Sequence, residues 1–386
     1  MQSFGNKMSK RIGYIDAMRG FTMILVVYSH VCNFCLGDRN MAFNDVLFLF
    51  RLPCFFFISG WLFQGTWGRV PQGIQGTIPC VTVWSIIKHK FMVQIVPTLI
   101  FLFLLSPPPA YFHQFGAFKG GYWFTFALFY FFVIYMLMSW SFRHRQGRRS
   151  DIIILLLTLA ISMSAYWYDI NYHRLQLTFA TPHSQGENFH LSIFTFQLVA
   201  DTLGLLSFVT WRYYLFFFLG TLARKYFPKF LKLTSNGKAM VLVVICFLVI
   251  SQIPQSDIFL REYFKFSIGG ILGMTMIFAL FRYLYTSSLS SFSHDTSAII
   301  HPTSAFLKFV GTRTLDIYLL HYFFLPEFLL PHATPLLATI PSLLLPVVIL
   351  LVALVVVALC LAVSHLLRLT PFLGGFLFGV KIEEKS

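Results

Sequence analysis

Ten stretches of this chain are almost free of charge and close to the length at which a helix crosses a bilayer: about 14–36, 45–64, 91–108, 121–140, 151–170, 202–223, 239–254, 267–286, 314–331 and 341–368. A hydrocarbon core about 30 Å thick takes roughly 20 apolar residues at about 1.5 Å each. The fold class that follows is all-α: a polytopic membrane protein of about ten transmembrane helices, forming one integral-membrane domain over residues 1–386. Composition agrees, with 57% of residues hydrophobic and only 11% charged. An average soluble domain is about 25% charged.

The net charge of +15 raises nucleic acid as a partner, but the placement of the charges argues against it. Lys and Arg fall in every second loop, the positive-inside pattern of a membrane protein. Segments on one side carry Lys7, Lys10 and Arg11, then Arg69, Lys88 and Lys90, then Arg143–Arg149, then Arg224–Lys238, then Arg282, Lys308 and Arg313, and finally Arg368, Lys381 and Lys385. The other side holds Arg39, Lys119, Arg174, Arg261 and Lys265. Both termini are therefore expected inside. The basic residues before the first run, and its buried polar pattern, mark it as a retained span rather than a cleaved leader. The longest outer loop, about 171–201, holds His173, Arg174, His183, Glu187, His190 and Asp201. The longest inner loop, 287–313, is rich in Ser and Thr and reads as a flexible connector.

Ionisable groups at membrane depth are costly unless they face the protein interior or water, which makes them functional candidates. Inside or at the spans stand Asp16, Arg19, His30, Arg51, Ser59, Arg212, Asp316 and His321. Arg19 and His30 are eleven residues apart. At about 100° per residue they share one helix face, roughly 16 Å apart along its axis. His30 has the chemistry of a general base, since imidazole titrates near neutrality; it also suits a buried ring satisfied by Tyr28 or Ser29. Arg19 suits an anionic ligand or an ion pair with Asp16 three residues away, and the two roles are compatible. Pro53 opens the helix of the second run, and Ser59-Gly60 allows close helix packing. His321 reads as a second imidazole at depth or a core histidine. Arg224 and Lys225 close the sixth run, where snorkelling anchors are common. Cys32 and Cys35 form an isolated C-x-x-C with no second pair, which reads as two small core residues. No metal cluster is visible, and no metal is expected.

These residues fall into a pattern. Arg19, ten residues, then His30 resembles the R-x10-H motif of the membrane acyltransferase-3 family. The opening Tyr14-Ile15-Asp16-Ala17-Met18-Arg19-Gly20 is similar to that family's, as is Leu52-Pro53-Cys54-Phe55-Phe56-Phe57-Ile58-Ser59-Gly60. Gly121-Tyr122-Trp123-Phe124 resembles its Trp-Phe segment, Tyr214 to Lys225 its sixth span, and Thr314 to His321 its late Leu-x-x-Tyr-x-x-His signature. The likeness runs in order over most of the chain and is greatest to the branch of bacterial sugar and polysaccharide O-acetyltransferases. Some members of that branch carry His where Arg51 stands, so no family role carries over to Arg51.

The resemblance implies acetyl transfer from cytoplasmic acetyl-CoA to a hydroxyl of a cell-surface or lipid-linked carbohydrate, in a bacterial inner membrane. The expected roles are His30 as general base or transient acyl carrier, with His321 as its partner in the same pocket. Arg19, Arg224 and Lys225 are expected to orient the phosphates of acetyl-CoA, because guanidinium binds phosphate bidentately. Asp16, Arg51, Ser59 and Arg212 are expected in supporting roles. The partners are the lipid bilayer and the carbohydrate acceptor, with no nucleic acid. The rival class is a transporter or flippase for a glycan intermediate, whose route would also carry buried Arg and His; no internal repeat or paired broken helices favour it. Another acyl donor or acceptor is the nearer alternative.

Overall fold

The computed structural model describes residues 12–37, 42–70, 80–105, 121–141, 147–180, 202–287, 294–370, 374 and 377–378. Every element among them is helical. In order, the helices are α1 (Gly13–His30), α2 (Ala42–Trp67), α3 (Cys80–Lys90), α4 (Val96–Leu105), α5 (Trp123–Ser141), α6 (Arg148–Ala180), α7 (Tyr214–Lys225), α8 (Phe227–Thr234), α9 (Gly237–Ser251), α10 (Phe259–Ser287), α11 (His294–Thr312), α12 (Thr314–Leu320), α13 (Ala333–Thr339) and α14 (Leu345–Arg368). Wide π-helical turns follow α1 at Val31–Cys35 and join α3 to α4 at Phe91–Ile95. Tight 3-10 turns occupy Phe208–Tyr213, His321–Phe323 and Glu327–His332.

Among the described residues, seven helical segments are long and apolar enough to cross a membrane, or eight if α8 and α9, bent by 78°, make one span. The difference from ten apolar runs lies mainly in the sixth and ninth. The sixth breaks at Ser207, whose φ is 52°, enters the 3-10 turn and leaves α7 only 12 residues long. The ninth is cut after the seven residues of α12. Irregular backbone at membrane depth is tolerated where protein or a cavity surrounds it. Both broken segments meet that condition, since Phe216, Phe217, Ile317 and Leu319 are wholly buried.

Helix α1 is the axis of the bundle: 83% of its apolar window is buried, against 28% for the span that begins α6. Helix–helix association in lipid relies on close van der Waals packing rather than on hydrophobic drive. Two reciprocal glycine contacts supply it. A Cβ at Gly60 of α2 would stand 1.9 Å from the Phe217 carbonyl oxygen, and one at Gly220 of α7 would stand 2.0 Å from that of Phe57. The same device joins α1 to α11, where a Cβ at Gly20 would meet the Leu307 carbonyl oxygen at 2.0 Å and one at Gly311 that of Asp16 at 1.8 Å. Of the connector expected at 287–313, residues 294–312 form helix α11; Ser and Thr content hid a packing face. Of the loop expected at 171–201, α6 extends to Ala180. His183, Glu187, His190 and Asp201 lie outside the described residues, as do Lys7, Lys10 and Arg11.

Candidate functional site

His30 is the last residue of α1, where the helix loosens into its π turn, a distortion common at functional sites. Its ring stacks on Phe34, with centroids 5.4 Å apart, and meets the edge of Tyr322 at 5.2 Å. His321 comes to 4.9 Å from it, centroid to centroid. The Nδ1 of His321 lies 2.7 Å from the Tyr318 carbonyl oxygen and 3.2 Å from that of Ile317. Carbonyls only accept, so Nδ1 carries the proton and the neutral ring keeps its lone pair on Nε2. That Nε2 and the Nδ1 of His30 are both buried without a hydrogen-bond partner among the described residues.

His30 opens on a cavity of about 230 Å³, walled also by Asn33, Phe48, Arg51, Phe55, Trp123, Phe124, Arg212, Tyr213 and Tyr318. His321 is wholly buried and backs His30 without lining the cavity. Arg51, also buried, donates from Nη1 to Asn44 Oδ1 at 2.8 Å, and Asn44 in turn donates to Asn33 at 3.3 Å. Arg212, in the 3-10 turn before α7, pairs with Asp169 and lies over the rings of Tyr213 (5.2 Å) and Phe266 (5.8 Å).

A second cavity of about 200 Å³ is lined by Arg19, Ser59, His89, Lys90, Gln94, Thr125 and Thr314 among others. Arg19 donates from Nη2 to Thr314 Oγ1 at 2.7 Å, which ties α1 to the first residue of α12. Lys90 ends α3, where the helix widens into its π turn, and its Nζ stands 4.3 Å from the centroid of Phe132. Ser59 donates to the Phe55 carbonyl oxygen at 2.8 Å. Gln94 Oε1 is buried without a hydrogen-bond partner among the described residues.

Phe55, Phe124 and Tyr318 line both cavities and form a common wall. The wall is pinned. Tyr318 Oη accepts the Phe124 N–H at 3.1 Å and donates to the Gly121 carbonyl at 3.2 Å, while Tyr122 Oη donates to the Leu319 carbonyl at 2.8 Å. Gly121 adopts φ 95°, and a Cβ there would strike Tyr322 Oη at 2.4 Å, so the position requires glycine.

The remaining residues singled out in the sequence fall elsewhere. Arg224 stacks on Trp61 at 5.3 Å, and Lys225 pairs with Asp151 at 2.7 Å. Neither lines either cavity among the described residues. Asp16 is buried in α1 with its carbonyl against Gly311. Asp316 is a buried structural anion that accepts from Arg368 at 2.8 Å and from Ser364. Cys32 and Cys35 are buried, and neither is in a disulfide. Among the described residues, no three His, Cys, Asp or Glu side chains are grouped so as to hold a metal. Sequence reasoning passed over Lys90, His89, Gln94, Thr314 and the Asn33–Asn44 pair as site residues.

In comparisons with known proteins, the family model described as an acyltransferase domain matches residues 12–365. No curated protein and no solved structure matches.

Proposed function

Because the chain belongs to the membrane acyltransferase-3 family, we propose that it moves an acetyl group from acetyl-CoA to a hydroxyl of a cell-surface or lipid-linked carbohydrate, and that it does so in a bacterial inner membrane. The observation that carries this reading is the pair of cavities sharing one aromatic wall, with His30 on one side and Arg19 on the other. A donor entering from the Arg19 side and an acceptor entering from the His30 side meet only at Phe55, Phe124 and Tyr318.

The second cavity suits part of the donor. Its volume, about 200 Å³, falls below that of a typical drug-sized pocket, about 300–1,000 Å³, so the acyl-pantetheine arm is what it would admit. Gln94 Oε1, otherwise without a partner, offers an acceptor to an amide N–H of that arm. Arg19, Lys90 and His89 supply positive charge beside it. The nucleotide would lie further out. Arg224 stands beside Gly65, six residues past Ser59 along α2, and with Lys225 is our candidate for the outlying phosphates.

On the other side, a ring nitrogen of His30 takes the acceptor's hydroxyl proton as that oxygen attacks the thioester carbonyl carbon. The C–S bond then breaks, the ester remains on the acceptor, and the thiolate leaves to be protonated. His321, its own proton committed to backbone carbonyls, packs its ring against His30 and so helps to hold it in position. Acetyl-CoA binding to purified protein in nanodiscs, wild type beside Arg19→Ala, tests the donor side. Saturable binding that weakens in the variant supports the reading. No binding by folded wild-type protein would redirect it to another donor, or to a glycan transporter.

A further inference from the structure

The His30 cavity carries two guanidinium groups and, among the described residues lining it, no carboxylate. The two charges bracket one ring: the guanidinium carbons of Arg51 and Arg212 lie 5.6 and 6.0 Å from the centroid of Phe48. Like charges gathered at membrane depth are costly, and such groups mark binding routes. The fold holds both in place, with Asn33 and Asn44 bracing Arg51 and with Asp169 and Tyr213 bracing Arg212. Among the described residues, Arg212 Nε is still buried without a hydrogen-bond partner. Arg51 and the wall residue Phe55 are four residues apart on one face of α2, so a group held by Arg51 sits about 6 Å along the axis from the wall. Asp169 balances one of the two charges from behind, and the described lining adds no carboxylate of its own, so a carboxylate or a phosphate, which matches the guanidinium fork, suits this cavity better than a neutral sugar.

We propose that the acceptor carries an anionic group close to the hydroxyl that is acylated, and that Arg51 and Arg212 bind this anion while Trp123 and Tyr213 pack against the sugar ring. The proposal rests on the acyltransferase reading and deepens it, naming an acidic glycan, uronic or phosphorylated, as the substrate class. Three probes test it by equilibrium binding to the full chain in nanodiscs: methyl glucoside, methyl glucuronide and glucose 1-phosphate. Acetyl-CoA binding is measured in parallel. At least one charged probe should bind about tenfold or more tighter than the neutral one, the weight of a charge-assisted hydrogen bond. Comparing the two charged probes separates carboxylate from phosphate. Arg51→Gln should erase most of that advantage while acetyl-CoA binding persists, and Arg51→Lys should restore part of it. Equal binding of neutral and charged probes, or no binding of any probe by protein that binds acetyl-CoA, overturns the proposal and leaves the acyltransferase reading standing. Failure of wild-type protein to bind acetyl-CoA removes the reading beneath it.

Discussion

An imidazole inside a membrane protein serves as a base only if one nitrogen keeps its lone pair and the ring is held still. His30 Nδ1 has no hydrogen-bond partner among the described residues, and the ring is packed by Phe34, Tyr322 and His321, the last held by the carbonyls of Tyr318 and Ile317. We therefore expect His30→Ala to lower transfer by about 10²–10⁴-fold, the usual weight of a general base, with acetyl-CoA binding intact. Near-normal turnover would remove His30 from the chemistry. His321→Gln should depress kcat while leaving the donor KM close to that of wild type; a parallel rise in KM would mark a packing role instead. For Arg19→Lys the expected change is a rise of about tenfold in donor KM, because Lys cannot make the fork contact, and an unchanged KM would count against a donor role. Spacing along one helix made Arg19 and His30 legible as a pair. No spacing rule reaches from His30 to His321, which lie far apart in the chain, and only the resemblance joined them. Lys90 escaped notice because it directly precedes an apolar run beginning near 91, where a Lys reads as an interfacial anchor. The helical segment in fact begins ten residues earlier, at Cys80, which places Lys90 within the span.

The candidate site residues stand where the elements break. His30 and Lys90 stand at the two α-to-π junctions, and Arg212 and His321 lie in 3-10 turns. Apolar run length reports that a segment can live in lipid, but not where its hydrogen-bond ladder changes pitch. That is why ten runs correspond to seven or eight spans, by length and composition, among the described residues. Helix α11 was the element least legible in the sequence, because its close approach to α1 depends on one glycine on each side of the crossing, which leaves no mark in an apolar pattern. Gly311→Ala should therefore destabilise the protein, with overpacking costing about 1–3 kcal/mol. Gly269→Ala in α10 is the control, since its Cβ would meet nothing nearer than 3.5 Å. Thermal melting in detergent compares the two variants. If Gly311→Ala melts with the control, the α1–α11 crossing is looser than these distances require.

At the scale of the molecule, side-chain contacts tie distant segments to one end of the bundle. Lys225, at the end of α7, pairs with Asp151 in the first turn of α6. Its neighbour Arg224 stacks on Trp61, Trp61 meets Phe278 at 5.4 Å, and Phe278 meets Tyr14 in the first turn of α1 at 5.6 Å. The start of α1, the start of α6 and the end of α7 therefore share one face, about 26 Å along α1 from His30. This is also the face to which the positive-inside pattern assigns the Lys and Arg clusters. Reporter fusions in the 141–150 and 224–238 loops should accordingly both read cytoplasmic. A split result would contradict the Lys225–Asp151 contact, and with it the packing of α6 against α7. Two external readings would leave that packing intact but turn the molecule over. The Arg19 cavity would then open away from the cytoplasm, and a cytoplasmic thioester donor would have to reach the site from the His30 side.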